Sequence, residues 1–237
     1  MAALQGRERA EYVRQMFGRI AGRYDLMNRL MTMGQDRTWR LFVLKEAALP
    51  KGGRLLDVAT GTGDIALEAL QQDPTVRAVG ADFAAPMMLV GRERHNGRNV
   101  RWTEADALHL PYPDHYFDAV TSAYLMRNVI DVKRAFQEQL RVVKPGGRVI
   151  CLDTTPPPRN LLYPFIMIHF KFIIPLLGKM LASDPSAYQY LPESTQAFKS
   201  PDELATIMRQ AGLVDVHYRR FMFGTMAVHT GTRSQQD

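Results

Sequence analysis

The spacing of apolar residues changes character at residue 54. Between residues 10 and 48 apolar side chains recur at helical intervals, with Val13, Met16, Phe17 and Ile20 at i, i+3, i+4 and i+7. Beyond residue 54, short apolar runs alternate with amphipathic stretches. The pattern predicts strands over 54–59, 76–82, 99–105, 117–123 and 148–154, and helices over 63–72, 85–95 and 129–141. Such alternation predicts a mostly parallel sheet covered by helices on both faces. KPGG (144–147) reads as a turn that ends one helix before the next strand.

Residues 155–200 break this rhythm. TPPP neither extends a strand nor starts a helix cleanly, and it is followed by the apolar LLYPFIMIHFKFIIPLLGKMLA (161–182). The alternation resumes after Ser200, where SPDEL offers an N-cap serine, a proline at N1 and a glutamate at N3. Two strands near 213–218 and 223–230 close the chain. The expected organisation is one domain: a helical cover (1–50), a core (51–154), an apolar helical insertion (155–200) and a C-terminal helix with strands (201–237). The run 161–178 has the length of a membrane span, but Pro164, His169, Lys171 and Pro175 interrupt it. Broken amphipathic helices serving as a lid, a dimer face or an interfacial anchor fit better, with buried core as the plain alternative.

Charge changes this picture more than composition does. Of 30 Lys/Arg and 24 Asp/Glu, residues 1–54 hold 11 and 5, so the whole excess of +6 lies in this N-terminal segment. A basic face suits an anionic lipid surface or nucleic acid, or is simply a solvated helix face. The single cysteine, Cys151, excludes an internal disulfide framework and a cysteine-rich zinc site. The N-terminus lacks the apolar segment of a secretion signal, and a cytoplasmic protein is expected. His169 and His229 stand without partners at metal spacing, so no metal is expected.

The chemistry concentrates in LLDVATGTGDIAL (55–67), an apolar strand running through a glycine turn into a helix. Gly61, Gly63 and Ala66 satisfy a dinucleotide-binding pattern, but the glycines are neutral as to which adenosine cofactor they hold. Backbone N–H groups around Gly61, Thr62 and Gly63 face a ligand at the helix N-terminus, and Asp82 ends the next strand where ribose hydroxyls would lie. The acids decide. Asp57, Asp64, Asp82 and Asp106 are expected at strand ends or a first helical turn around one pocket. That ring repels a pyrophosphate and stabilises the ammonium and sulfonium of S-adenosylmethionine, favouring a methyl donor over a nicotinamide.

Four segments identify a family. RIAGRYDLMNRLMTMGQDRTWR (19–40), the glycine turn, LMRNVIDVKRAFQEQLRVVKPGG and SDPSAYQYLPEST together resemble the UbiE/MenG family of quinone C-methyltransferases, over about residues 13–233. The resemblance implies a class I, Rossmann-like S-adenosylmethionine-dependent fold, with a mostly parallel seven-stranded sheet, an N-terminal helical segment and a helical insertion after the fifth strand. It places cofactor contacts at Thr62, at Asp82 with Phe83, and at Asp106–Ala107. Ala123 stands where such enzymes often carry a serine, and Leu125 where GLRNV has its glycine.

The implied reaction is methyl transfer to a ring carbon of a polyprenylated quinol, either a demethylmenaquinol, which we favour, or a methoxy-benzoquinol. Carbon becomes nucleophilic when the neighbouring hydroxyl loses its proton. Arg127 is never a base, so it is expected to stabilise the phenolate and orient a water, with Asn128 sharing the hydrogen bonds. Alternatively, Arg127 ties its loop to a carboxylate. Asp153 is the expected proton relay, or else a turn cap before TPPP. Tyr24, Asp25 and Asn28 are expected over the cofactor, and Tyr188 and Tyr190 beside the ring. The insertion would admit the isoprenoid tail, and the basic cover would meet an anionic membrane. A homodimer is compatible with this arrangement. A nucleic-acid substrate is disfavoured, because SAYLMRN replaces the Asn/Asp-Pro-Pro-aromatic turn of base N-methylation and no basic–aromatic stripe exists. A non-catalytic cofactor-binding subunit is the other alternative.

Overall fold

A computed structural model describes residues 6–174, 176, 190 and 193–236. The expected N-terminal helical region is three helices: α1 (Gly6–Ile20), α2 (Tyr24–Met31) and α3 (Asp36–Ala47). A 3-10 turn at Ala21–Arg23 separates the first two, and Met33 and Gly34, both at positive φ (52° and 74°), turn the chain into α3. The core then alternates β1 (Arg54–Val58), α4 (Asp64–Gln72), β2 (Arg77–Asp82), α5 (Ala85–Glu93), β3 (Arg101–Glu104), β4 (Phe117–Ala123), α6 (Val132–Val142) and β5 (Val143–Thr154). α7 (Tyr163–Ile168) opens the insertion, and α8 (Pro201–Gln210), β6 (Val214–Phe221) and β7 (Met226–Thr232) complete the chain.

The seven strands lie in the order β3-β2-β1-β4-β5-β7-β6, with β7 antiparallel to both its neighbours and the other pairs parallel. From β1 the chain winds outward through β2 and β3, then returns to the other side of β1 for β4. The connections leaving β1 and β4 therefore diverge, and a crevice opens at the carboxyl ends of the strands.

Alternation along the central strands divides the core between two faces. Leu56, Phe117, Val120 and Cys151 pack with Phe136 of α6 and with Leu204 and Met208 of α8. Leu55, Ala119, Ile150 and Leu152 pack with Trp39 and Val43 of α3 and Ile65 of α4. The helix after Ser200 starts as its sequence indicates: the Ser200 side chain accepts from Glu203 N, and the Glu203 carboxylate accepts from Ser200 N at 2.7 Å.

Two details depart from the expected pattern. α6 begins at Val132, not 129, because the Asp131 side chain caps it by accepting from Arg134 N at 2.9 Å. KPGG is not a turn ahead of β5 but a bulge inside it. Phe117 pairs with Val143 and Ala119 with Arg148, so residues 144–147 are looped out of register, and Gly146, at φ 75°, donates its N–H to Arg233 O at 3.0 Å.

The cover and the insertion share a third, smaller core. Met16 and Ile20 of α1 and Met27 and Met31 of α2 bury against Ile166, Phe170, Ile174 and Tyr190. α7 continues into a π-helical turn at His169–Ile173, and its opposite side exposes Leu161, Phe165, Ile168 and Phe172. Among the described residues no helix is long and apolar enough to cross a membrane.

Candidate active site

β1 ends in a turn built on left-handed backbone. Ala59, Gly61 and Gly63 have φ of 56°, 58° and 84°, and Gly63 precedes the first residue of α4. A Cβ at Gly63 would lie 2.4 Å from the Trp102 ring, so close packing and conformation both demand glycine there. The turn is pinned from β2: Thr60 N donates to Ala81 O at 3.1 Å, and Gly61 N donates to Asp82 Oδ2 at 2.7 Å. The other Asp82 oxygen accepts from Ala84 N at 2.7 Å. Burial pushes the Asp82 carboxyl upward, and these backbone donors work against that rise.

A cavity of about 600 Å³ opens over the carboxyl ends of β1, β2, β3 and β4. Of the residues expected to hold the cofactor, Gly61, Asp82, Phe83, Asp106, Ala107 and Ala123 line it; Tyr24 and Asn128 line it as well. Asp57, Thr62 and Gly63 do not. Sequence reasoning missed the roof, which α1 supplies through Glu11, Val13, Arg14 and Phe17. The helical pattern of α1 serves two neighbours: Met16 and Ile20 bury in the core shared with the insertion, while Val13 and Phe17 border that core and also line the cavity. Arg14 spans the mouth, its guanidinium 5.1 Å from the Phe83 ring centre and 3.1 Å from Glu104. Tyr124, Leu125, Val129 and Ile130 form the wall beyond β4. Tyr124 holds φ at 59°, which no sequence signal indicates for a tyrosine.

The expected ring of four acids is corrected to two. Asp82 and Asp106 line the cavity, joined by Glu11. Asp57 is 2% exposed and points into the sheet, where its two oxygens accept from Thr60 Oγ1 at 2.7 Å and Thr121 Oγ1 at 2.8 Å. Burial pushes its carboxyl up to about 7, against the pull of both hydroxyls. Asp64 is taken up by two guanidiniums, Arg40 at 2.7 Å and Arg94 at 2.7 Å. The lining remains acid-rich, with Arg14 its one guanidinium among the described residues and already paired. The glycine turn, Asp82 at the end of β2 and the acidic lining fit a cationic adenosine cofactor and oppose a pyrophosphate.

Arg127 and Asp153 are brought together, but behind the cavity wall. Arg127 Nη1 lies 2.6 Å from Asp153 Oδ1, with the side chains 3% and 1% exposed. Arg127 N also donates to Asp153 Oδ2 at 3.2 Å. Burial works against the Arg127 charge, yet the Asp153 charge and hydrogen bond prevail and hold its pKa above the ordinary value. This is the loop-to-carboxylate tie, and it corrects the picture of Asp153 as an accessible proton relay: its buried carboxylate accepts from Arg127 and from the backbone N–H of Thr154. Arg127 also stacks over Tyr124, 5.0 Å from the ring centre.

The substrate candidates divide likewise. Tyr24 faces the cavity, and burial raises its phenol pKa despite the adjoining Asn28 amide. Asn28 Nδ2 is buried without a hydrogen-bond partner among the described residues. Asp25 turns away from the cavity, accepting from Thr62 Oγ1 at 2.6 Å. Tyr190 donates its hydroxyl to Asn128 Oδ1 at 2.9 Å, and Asn128 Nδ2 donates to Tyr124 O at 2.8 Å. Tyr188 lies outside the described residues.

Residues 5–233 match the ubiE/COQ5 methyltransferase family. The chain is 50% identical over 221 residues to a ubiquinone/menaquinone biosynthesis C-methyltransferase of Desulfotalea psychrophila, covering 93% of this chain and 90% of that one. It is 46% identical to a demethylmenaquinone methyltransferase of Roseiflexus castenholzii, covering 95% of each. Among solved structures, a SAM-dependent methyltransferase of Thermotoga maritima has a similar fold, with a TM-score of 0.63 at 21% identity over 93% of this chain and 99% of that one.

The buried Asp57 gives stability a defined pH dependence. Its native pKa of about 7 lies above the ordinary 3.8, so the fold favours the protonated form. The stabilisation is complete below about pH 4 and is lost as pH rises through about 7. Relative to Asp57→Asn, which cannot ionise, wild-type stability should fall by on the order of 4 kcal/mol between those limits. Urea unfolding of both proteins across this range checks it; a difference independent of pH contradicts it.

Proposed function

The chain belongs to the ubiE/COQ5 methyltransferase family, and from that premise we propose that it methylates a ring carbon of demethylmenaquinol with S-adenosylmethionine. The observation that carries this reading is one continuous cavity. It runs from the glycine turn and the acids Asp82 and Asp106 past Ala123 to Tyr24, Asn128 and an apolar wall of Leu125, Val129 and Ile130. Gly61, Asp82, Phe83, Asp106 and Ala107 would hold the cofactor. When bound, S-adenosylmethionine supplies an electrophilic methyl group.

The protein's own part is positioning and charge. Tyr24, kept protonated by burial, is placed to donate to the ring oxygen as its hydroxyl ionises. The Asn28 side chain, adjoining the Tyr24 hydroxyl, steadies that donor. The buried Arg127–Asp153 pair fixes the loop after β4, and the Arg127 charge favours negative charge near Tyr24. Asn128 links that loop to Tyr190 of the insertion, closing the acceptor end against bulk water. Supplied with reduced demethylmenaquinol and, separately, a reduced methoxy-benzoquinol, the enzyme should give a product one methyl heavier from the first. Tyr24→Phe should cut kcat by about tenfold or more with unchanged cofactor affinity. Methylation of the benzoquinol alone reassigns the acceptor; methylation of neither removes the proposal.

The insertion, α2 and the turn after α2 all expose apolar side chains. Leu161, Phe165 and Phe172 are 93%, 69% and 67% exposed, and Leu26 and Met33 are 54% and 65% exposed. Arg29, Arg159 and Lys171 are exposed on the same segments. We infer that this side rests on an anionic bilayer holding the quinol. Flotation with phosphatidylglycerol vesicles at low salt should carry the protein upward, and a Phe165→Ser/Phe172→Ser variant should stay behind. Failure of the wild type to float removes membrane contact, and a concentration-dependent dimer broken by the same variant assigns the face to a second copy.

A further inference from the structure

The glycine turn has a set of polar contacts that methyl transfer does not use. Thr62 is the one residue between Gly61 and Gly63, and its side chain is 1% exposed. Its hydroxyl donates to Asp25 Oδ1 at 2.6 Å, from the first turn of α2. Arg94, just past α5, donates to Thr62 O at 3.1 Å and sits 3.2 Å from Asp25 and 2.7 Å from Asp64. Asp64 in turn meets Arg40 of α3, which also holds Asp36 at 2.8 Å. Both glycines flanking Thr62 adopt left-handed backbone, so within Gly61–Gly63 the turn has one side chain by which it can be held.

Magnitudes separate these contacts. The side chains of the Asp25–Arg94 pair are 39% and 34% exposed, and an ion pair so open to water contributes little. The hydrogen bond from the buried Thr62 hydroxyl to a carboxylate is charge-assisted and short, and it is the stronger element. It joins the cavity floor to α2, which also carries Tyr24 on the cavity wall.

Resting on the methyl-donor reading of the cavity, we propose that Asp25 is a positioning residue that latches the helical cover to the glycine turn through Thr62, so that cofactor binding and closure of the cover are one coupled event. Asp25 touches no reacting atom. It sets the turn in the shape whose Gly61 N–H is bound by Asp82, and a cofactor that favours this shape draws α2 down over itself. Linkage makes the effect reciprocal: loosening α2 weakens the cofactor by the same factor that cofactor loss loosens α2.

S-adenosylhomocysteine is the probe, read by calorimetry and by amide hydrogen exchange across residues 24–31. In the wild type its addition should slow exchange in α2. Asp25→Ala should raise its Kd by about tenfold and abolish that protection, a coupling of ordinary allosteric size. Asp25→Asn, which keeps an acceptor for Thr62, should recover most of both. Thr62→Val should repeat the losses and Thr62→Ser reverse them, and this pair decides the matter if Asp25→Ala does not fold. A folded Asp25→Ala or Thr62→Val protein with wild-type Kd and wild-type protection overturns the latch alone. A wild-type protein that binds no S-adenosylhomocysteine overturns the methyl-donor reading, and the latch with it.

Discussion

The site depends on holding a turn that cannot hold itself. Gly61 and Gly63 give the chain after β1 its left-handed course, and glycine offers nothing with which to fix that course. The fixing comes from outside: Asp82 at the end of β2 binds Gly61 N, and Asp25 and Arg94, themselves ion-paired, bind Thr62. All three are ionisable side chains that meet a backbone or hydroxyl dipole, and Thr62 itself is buried, where such bonds are strong. The cavity floor is therefore as rigid as its surrounding elements allow.

The rest of the architecture follows from what must surround that floor. The switch in winding between β1 and β4 opens a crevice above it. α1 and α2 cover the crevice, and they do so without a core of their own, burying Met16, Ile20, Met27 and Met31 against the insertion. Cover and insertion are thus one packing unit, reached by two distant parts of the chain. The Asn128–Tyr190 hydrogen bond ties that unit to the loop after β4, as Asp25 ties it to the loop after β1.

The sequence was most legible where local rules act. The strands, the glycine turn, the Ser200 cap and the placement of Asp82 and Asp106 all follow from periodicity, caps and strand ends. It was least legible where distant charges meet. Asp57 and Asp64 are chemically indistinguishable from Asp82 in a string of letters. One alternates into the sheet beneath two threonine hydroxyls, and the other finds guanidiniums contributed by residues 40 and 94. Arg127 and Asp153 show the same limit: both are near the site in sequence terms, yet their mutual attraction turns them away from the cavity. The KPGG bulge escaped because its cause is a strand register set by Phe117 and Ala119 on another strand. The wall at Tyr124 escaped because its backbone adopts a conformation that tyrosine rarely does.

What unites these observations is a cavity whose charge, not its glycines, selects the cofactor. Asp82, Asp106 and Glu11 face inward against one paired arginine among the described residues, an arrangement that stabilises a cation and repels a diphosphate. The direct measurement is calorimetric titration of the protein with S-adenosylmethionine and with NADH in the same low-salt buffer. S-adenosylmethionine should bind saturably, more weakly in Asp82→Asn, and NADH should show no measurable binding. Tight binding of NADH with none of S-adenosylmethionine would contradict it.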